Sequence, residues 1–117
     1  MPVSRPTRWM PSISVRDNRI VPMPNPHTIA DGLRTSMGDV TLPILRRHLS
    51  GFFTVEEREI VSAMRVASER IKIVIEASSA VALAPLLRRE AALRDKKVGV
   101  ILTGGNVDLS AFFKALA

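Results

Sequence analysis

Residues 103–106 read Thr-Gly-Gly-Asn and directly follow an apolar run, Val-Gly-Val-Ile-Leu, at 98–102. Two successive glycines let the backbone turn with positive φ or come close to a bound group. The apolar run is short and rich in β-branched residues, the pattern of a strand buried on both faces in a parallel sheet. Ligands in open α/β sheets sit beyond the carboxyl ends of the strands, which is where this loop falls. The same residues also suit a plain strand-to-helix turn, and spacing alone leaves both readings open.

The elements that would position this loop follow in the order of the chain. Six of the eight prolines (Pro2, Pro6, Pro11, Pro22, Pro24 and Pro26) lie in residues 1–27, which marks that stretch as extended or poorly ordered. Residues 28–38 show no clean period and end on Gly38, as a structured loop does. Thr41 is placed as a helix cap, with Pro43 in the first turn and Gly51 as the stop. Thr54 and Glu57 have capping-box spacing, and Ile60, Met64, Ala67 and Ile71 form one apolar stripe, so a helix is expected from 54 to 72. Residues 71–75 fit either a helix extension or a strand. Ser78 or Ser79 is expected to cap the next helix, whose buried stripe is Ala80, Leu83, Ala84 and Leu87, with a kink or early end at Pro85. Glu90 and Arg94 have ion-pair spacing. A last helix is expected to start near Asp108 or Ser110.

Composition narrows the function classes. At 117 residues the chain has one domain's length at most. The absence of cysteine removes disulfides and thiolate metal sites, and fits a cytoplasmic protein. The longest apolar run, residues 80–87, contains Pro85 and is too short to span a membrane. Residues 1–16 carry three arginines and no acid, as transit peptides do, but their prolines oppose the amphipathic helix such a peptide needs. The net charge of +6 raises nucleic acid as a partner, yet basic residues never run beyond pairs and do not alternate with aromatics. That distribution argues for solvated surface charge and against nucleic acid.

The segment Leu-Thr-Gly-Gly-Asn-Val-Asp-Leu at 102–109 resembles the C-terminal signature of the threonine dehydratase and serine racemase family. These are pyridoxal-phosphate enzymes of fold type II, the tryptophan synthase β-like class. Thr28-Ile-Ala-Asp-Gly at 28–32 is similar to the family loop beside the coenzyme ring. Phe53-Thr54-Val55 before an acidic helix start, and Ile75-Glu76 before Ser78-Ser79-Ala80, fall in family order. Where the family usually has Glu-Pro-Ser, this chain has Glu76-Ala77-Ser78. The likeness covers about residues 16–113, leaving 1–15 unmatched and expected to be disordered. It implies an α/β chain: an incomplete three-layer fold with helices on a short, mostly parallel sheet, the C-terminal part of the fold-type-II large domain.

The resemblance also implies roles. Thr103 stands where the family has the Ser or Cys that faces the ring nitrogen of pyridoxal 5'-phosphate, and it keeps the hydroxyl. Gly104, Gly105 and Asn106 would shape the loop; Ala30, Asp31 and Gly32 would line the ring, with Glu76 nearby. Without the resemblance, Asp31 is a turn carboxylate and Glu76 a helix-end charge. The family's Schiff-base lysine and phosphate loop lie far upstream and have no counterpart among Lys72, Lys96, Lys97 and Lys114 or elsewhere. Family metal ligands would fall near residues 1–14, which do not resemble them. The implied protein is a fragment of an ammonia-lyase or racemase for serine- or threonine-like amino acids, inactive alone. The competing expectation is a non-catalytic remnant, or a subunit that self-associates or pairs with a full-length relative.

Overall fold

The computed structural model describes residues 10–22 and 24–117, which cluster into two compact units. The first comprises Met1–His27 and Arg34–Thr54, and the second Thr28–Leu33 and Val55–Ala117.

In the first unit, helix α1 (Met10–Asp17) packs against α2 (Thr41–His48). Helix α1 includes residues 10–15 of the stretch 1–15 for which disorder is expected, and residues 1–9 lie outside the described residues. Pro11 is compatible with it because a first-turn N–H has no intrahelical partner to lose. Ser14 is fully buried, and its Oγ accepts the Val21 N–H at 2.9 Å, folding residues 18–21 back over the helix. Asn18 makes the turn at φ 54°. An exposed Arg16–Asp17 pair at 2.7 Å raises the Arg16 pKa and lowers that of Asp17 through their hydrogen bond. In α2, Thr41 is the first helical residue and the cap position belongs to Val40. Leu42 is buried, while Arg46, Arg47 and His48 occupy the last turn, where the dipole favours positive charge.

The second unit holds the core. Helix α3 (Glu57–Val66) starts two residues later than the Thr54 spacing predicts: its cap is Glu56, and the capping box pairs Glu56 with Glu59. The Glu59 side chain accepts the Glu56 N–H at 2.7 Å. Ile60, Ala63, Met64 and Ala67 are buried along one face. Ile71, expected on the same stripe, is half exposed. The cause is a π-helical turn at Ala67–Ile71, ended by Lys72 at φ 65°. A turn with i→i+5 bonds holds more residues than 3.6 and rotates Ile71 out of phase.

Helix α4 (Ala77–Leu87) lays Ala80 and Ala84 into the same cluster and is the element most closely packed on α3. The alanines on both helices keep the two backbones close. Pro85 is buried inside α4, which continues past it to Leu87; Leu87, expected in the stripe, is partly exposed. Beyond it, Glu90 pairs with Arg88 at 2.7 Å, where the spacing predicts Arg94. The chain leaves the helix there and enters a 3-10 turn at Ala91–Leu93, so the i,i+4 geometry does not arise. Helix α5 (Leu109–Leu116) is capped by Asp108, which accepts the Ala111 N–H at 2.8 Å, and it buries Phe112.

No strand forms among the described residues. The run at 98–102, expected to be buried on both faces, is covered on one. Leu102 packs against the core while Ile101 is 83% exposed. Residues 73–75 behave alike, with Ile75 buried and Ile73 and Val74 partly exposed. Strand pairing needs a run of backbone bonds to a neighbour, and the bond from the Glu76 N–H to the Gly104 carbonyl at 2.8 Å lies just beyond both segments.

Replacing Met64 by Ala should destabilise the chain by about 2–5 kcal/mol, the usual loss for a buried side chain of this size. Replacing Ile71 by Ala should cost about 1 kcal/mol or less. Urea denaturation compares the two, and equal losses would return Ile71 to the buried stripe.

Candidate functional site

The residues singled out in the sequence converge on the start of α4. Glu76 is the last extended residue before the helix, and both the Ser79 and Ala80 N–H groups bond to its carbonyl. Its own N–H donates to the Gly104 carbonyl, so the Thr-Gly-Gly-Asn loop lies across the helix start. Gly104 has φ +75°, and a Cβ there would collide with the Glu76 carboxyl group. The positive φ favours glycine, and any side chain there would oblige the Glu76 carboxyl group to swing away. Gly105 comes close to residue 74, since a Cβ on it would sit 3.5 Å from the Val74 carbonyl oxygen.

The next two residues of α4 after Ala77 are serines, and each holds a loop. The Ser79 Oγ accepts the Thr103 N–H at 2.9 Å. The Ser78 Oγ accepts the Gly32 N–H, also at 2.9 Å. A Cβ on Gly32 would lie 2.9 Å from that hydroxyl oxygen, so this approach also depends on glycine. Asp31 shares the Gly32 donor through its Oδ1 at 2.9 Å, which leaves its second carboxylate oxygen outside the turn. Ala30 is buried in the core and anchors the short 3-10 turn Asp31–Leu33. The preceding Ile29 N–H donates to Glu57 Oε2 at 2.9 Å, tying this loop to the start of α3.

Thus Ala30, Asp31, Gly32, Glu76, Thr103 and Gly104 are gathered around one helix terminus. Thr103 is held by its backbone, while its hydroxyl is exposed and has no partner among the described residues. Asn106 is drawn in least. It is exposed at the tip of a tight turn closed by the Val107 N–H on the Gly105 carbonyl at 3.0 Å. Ser78 and Ser79 are the residues whose task the sequence disguises, since their position suggests helix caps. Two hydroxyls in succession behind a residue already serving as cap are the signal that could have revealed it.

A separate groove of about 380 Å³ lies between α3 and α4, lined by Arg58, Glu59, Ser62, Ala84, Leu87 and Arg88. It contains none of the residues expected to contact a coenzyme. Burial acts to lower the Arg88 pKa, and the hydrogen bonds it donates to Glu90 and Glu59 outweigh it, so the guanidinium is held charged. No cluster of three or more metal-binding side chains occurs among the described residues. No described helix is long and apolar enough to cross a membrane.

Comparison with known proteins identifies the family. The family described as "Pyridoxal-phosphate dependent enzyme" matches residues 6–104. Serine racemase of Dictyostelium discoideum is 50% identical over 95 residues, covering 78% of this chain and 29% of its own length. The beta-hydroxyaspartate dehydratase of Paracoccus denitrificans is 46% identical over 84 residues, covering 72% of this chain and 27% of its own. Among solved structures, maize serine racemase superposes with a TM-score of 0.80 at 33% identity, covering 94% of this chain and 36% of that one. The likeness is consistent with the α/β fold of fold-type-II enzymes. The chain spans about 30% of the length of the curated relatives it matches. Two loops fixed to one helix start, and a family match over most of the sequence, lead to one conclusion: this chain belongs to the pyridoxal-phosphate-dependent enzyme family.

Proposed function

We propose that residues 16–117 form the C-terminal part of a pyridoxal-phosphate-dependent dehydratase or racemase domain acting on β-hydroxy amino acids such as serine or threonine. The observation that carries this reading is the convergence of the 30–32 and 103–105 loops on Glu76, Ser78 and Ser79. The residues present fit the coenzyme. Glycines 32 and 104 let their loops lie close against Ser78 and Glu76, and Thr103, an exposed residue, has a hydroxyl available as a donor. Pyridoxal phosphate, when bound, supplies an electron sink for the pair left on the amino-acid α-carbon.

In this reading the Thr103 hydroxyl donates to the ring nitrogen. A neutral donor leaves that nitrogen unprotonated, whereas a carboxylate would favour the pyridinium form. Ala30, Asp31 and Gly32 line the ring, Gly104, Gly105 and Asn106 shape the opposing loop, and Glu76 closes the space under Gly104. Residues 73–76 and 98–102 become strands of the short, mostly parallel sheet once the rest of the domain pairs with them. Their exposed side chains, Ile73, Val74, Val98 and Ile101, are the surface it would cover. A cysteine-free composition accords with a cytoplasmic setting.

Lys72, Lys96, Lys97 and Lys114 are all exposed, and none occupies the gathered loops. The purified chain alone should therefore form no 2-oxo acid from serine or threonine above a coenzyme-only control. Borohydride reduction followed by mass spectrometry should find no specific coenzyme adduct on any one of these lysines. Turnover by the chain alone would overturn this expectation.

A second reading, favoured by the same exposed apolar side chains, is a non-catalytic chain that self-associates or pairs with a full-length relative. Ile101→Lys should then abolish oligomers seen by analytical ultracentrifugation, while a monomer in both forms rejects self-association.

The site assignment is tested by joining residues 16–117 to the N-terminal portion of a close relative such as the Dictyostelium serine racemase. Thr103→Val should cost roughly 1–3 kcal/mol in activity, because a buried acceptor loses its donor. Thr103→Ser should be nearly silent, and Thr103→Asp should change the balance between elimination and racemisation. If Val behaves as Ser does, Thr103 is a loop residue only and the assignment fails.

A further inference from the structure

We infer that Ser78 and Ser79 are positioning residues, two adjacent hydroxyls that set the spacing between the Gly32 and Thr103 loops. This rests on the reading of the coenzyme site given above. Serines in the first turn of a helix ordinarily serve the helix by capping it. Here the cap is Glu76, and no side-chain hydrogen bond caps α4. Alanine at both places would favour the helix slightly more, and Ala77 and Ala80 flank them. Both Oγ atoms instead accept an N–H from a distant part of the chain at 2.9 Å, from Gly32 and from Thr103.

Helix geometry explains why the two loops stay apart yet related. Successive residues on an α-helix point about 100° from one another, so neighbouring side chains reach in different directions from one rigid support. The distance between residues 32 and 103 is thereby set by the first turn of α4 and by neither loop. Ser79 is buried, so its bond to Thr103 is shielded from competing water. Because the Thr103 backbone is what Ser79 holds, the Thr103 side chain remains exposed. Ser78 holds its loop with help, since Asp31 Oδ1 shares the Gly32 donor.

Amide hydrogen exchange on the full 117-residue chain, read residue by residue by NMR, tests this directly. Ser79→Ala should speed exchange of the Thr103 amide roughly fivefold to tenfold and leave Gly32 unchanged. Ser78→Ala should speed Gly32 by less, because Asp31 still accepts, and leave Thr103 unchanged. Ser79→Thr, which keeps the hydroxyl, should restore Thr103. The Ala63 and Met64 amides report the fold and should hold in all variants, since alanine suits a helix. Unchanged Thr103 exchange in Ser79→Ala, an equal rise throughout the chain, or failure of Ser79→Thr to restore it would each overturn the inference. Thr103→Val keeps the backbone N–H and should leave every amide's protection, corrected for its intrinsic rate, as it was. A failed coenzyme assignment and a failed positioning role are therefore read from different measurements.

Discussion

The hydrogen bond from the Glu76 N–H to the Gly104 carbonyl joins the start of α4 to the Thr-Gly-Gly-Asn loop, and much else follows from it. Gly104 suits it, since it adopts φ +75° and has no Cβ to meet the Glu76 side chain. With residue 104 fixed against residue 76, the Thr103 N–H falls within reach of Ser79 and the Gly105 backbone comes near that of Val74. Residues 74–79 thus act as a rail on which the Thr-Gly-Gly-Asn loop is mounted. Three contacts hold it: the Glu76–Gly104 backbone bond, the Ser79 hydroxyl on the Thr103 N–H, and the approach of Gly105 to Val74.

That rail needs a rigid bed, and the alanine-rich contact between α3 and α4 supplies it. Ala63, Ala67, Ala80 and Ala84 are almost entirely buried, together with Ile60, Met64, Ile75 and Phe112. Small side chains lose little conformational entropy on burial, so this contact is formed at low cost. The ion pairs of Arg88 with Glu59 at 3.3 Å and with Glu90 at 2.7 Å close the far end of the same contact. They are partly exposed and weigh less than the apolar packing. The Arg65 guanidinium and the Leu116 carbonyl bring the end of α5 back onto α3.

Much of this is legible in the residues. The apolar stripe of α3, the Asp108 cap and the loop at 103–106 are local patterns, and local patterns are what a single sequence displays. What it conceals is of another kind. Thr54/Glu57 and Glu56/Glu59 have the same spacing, and the choice between them is made by where the helix packs. Ser78 and Ser79 look like caps until a loop 24 residues away is seen to donate to one of them. The pattern at 98–102 implies burial on two sides because it describes a strand in a filled sheet. In this chain one side of that run is open, and Ile101 faces solvent.

The π-helical turn at Ala67–Ile71 has a consequence for how the chain tolerates change in length. It separates the phase of α3 from the number of residues that follow, so the chain leaves the helix with Ile75 turned inward and Val74 outward. In an extended segment inside and outside alternate with every residue. Removing one residue between Ala67 and Glu76 would tighten the turn and slide the segment by a single step. Glu76 would then take the core position of Ile75, and the residue reaching Gly104 would no longer be Glu76. Substitutions here can be absorbed by side chains, but the count of residues cannot, because it works as a gear tooth between the core and the loop.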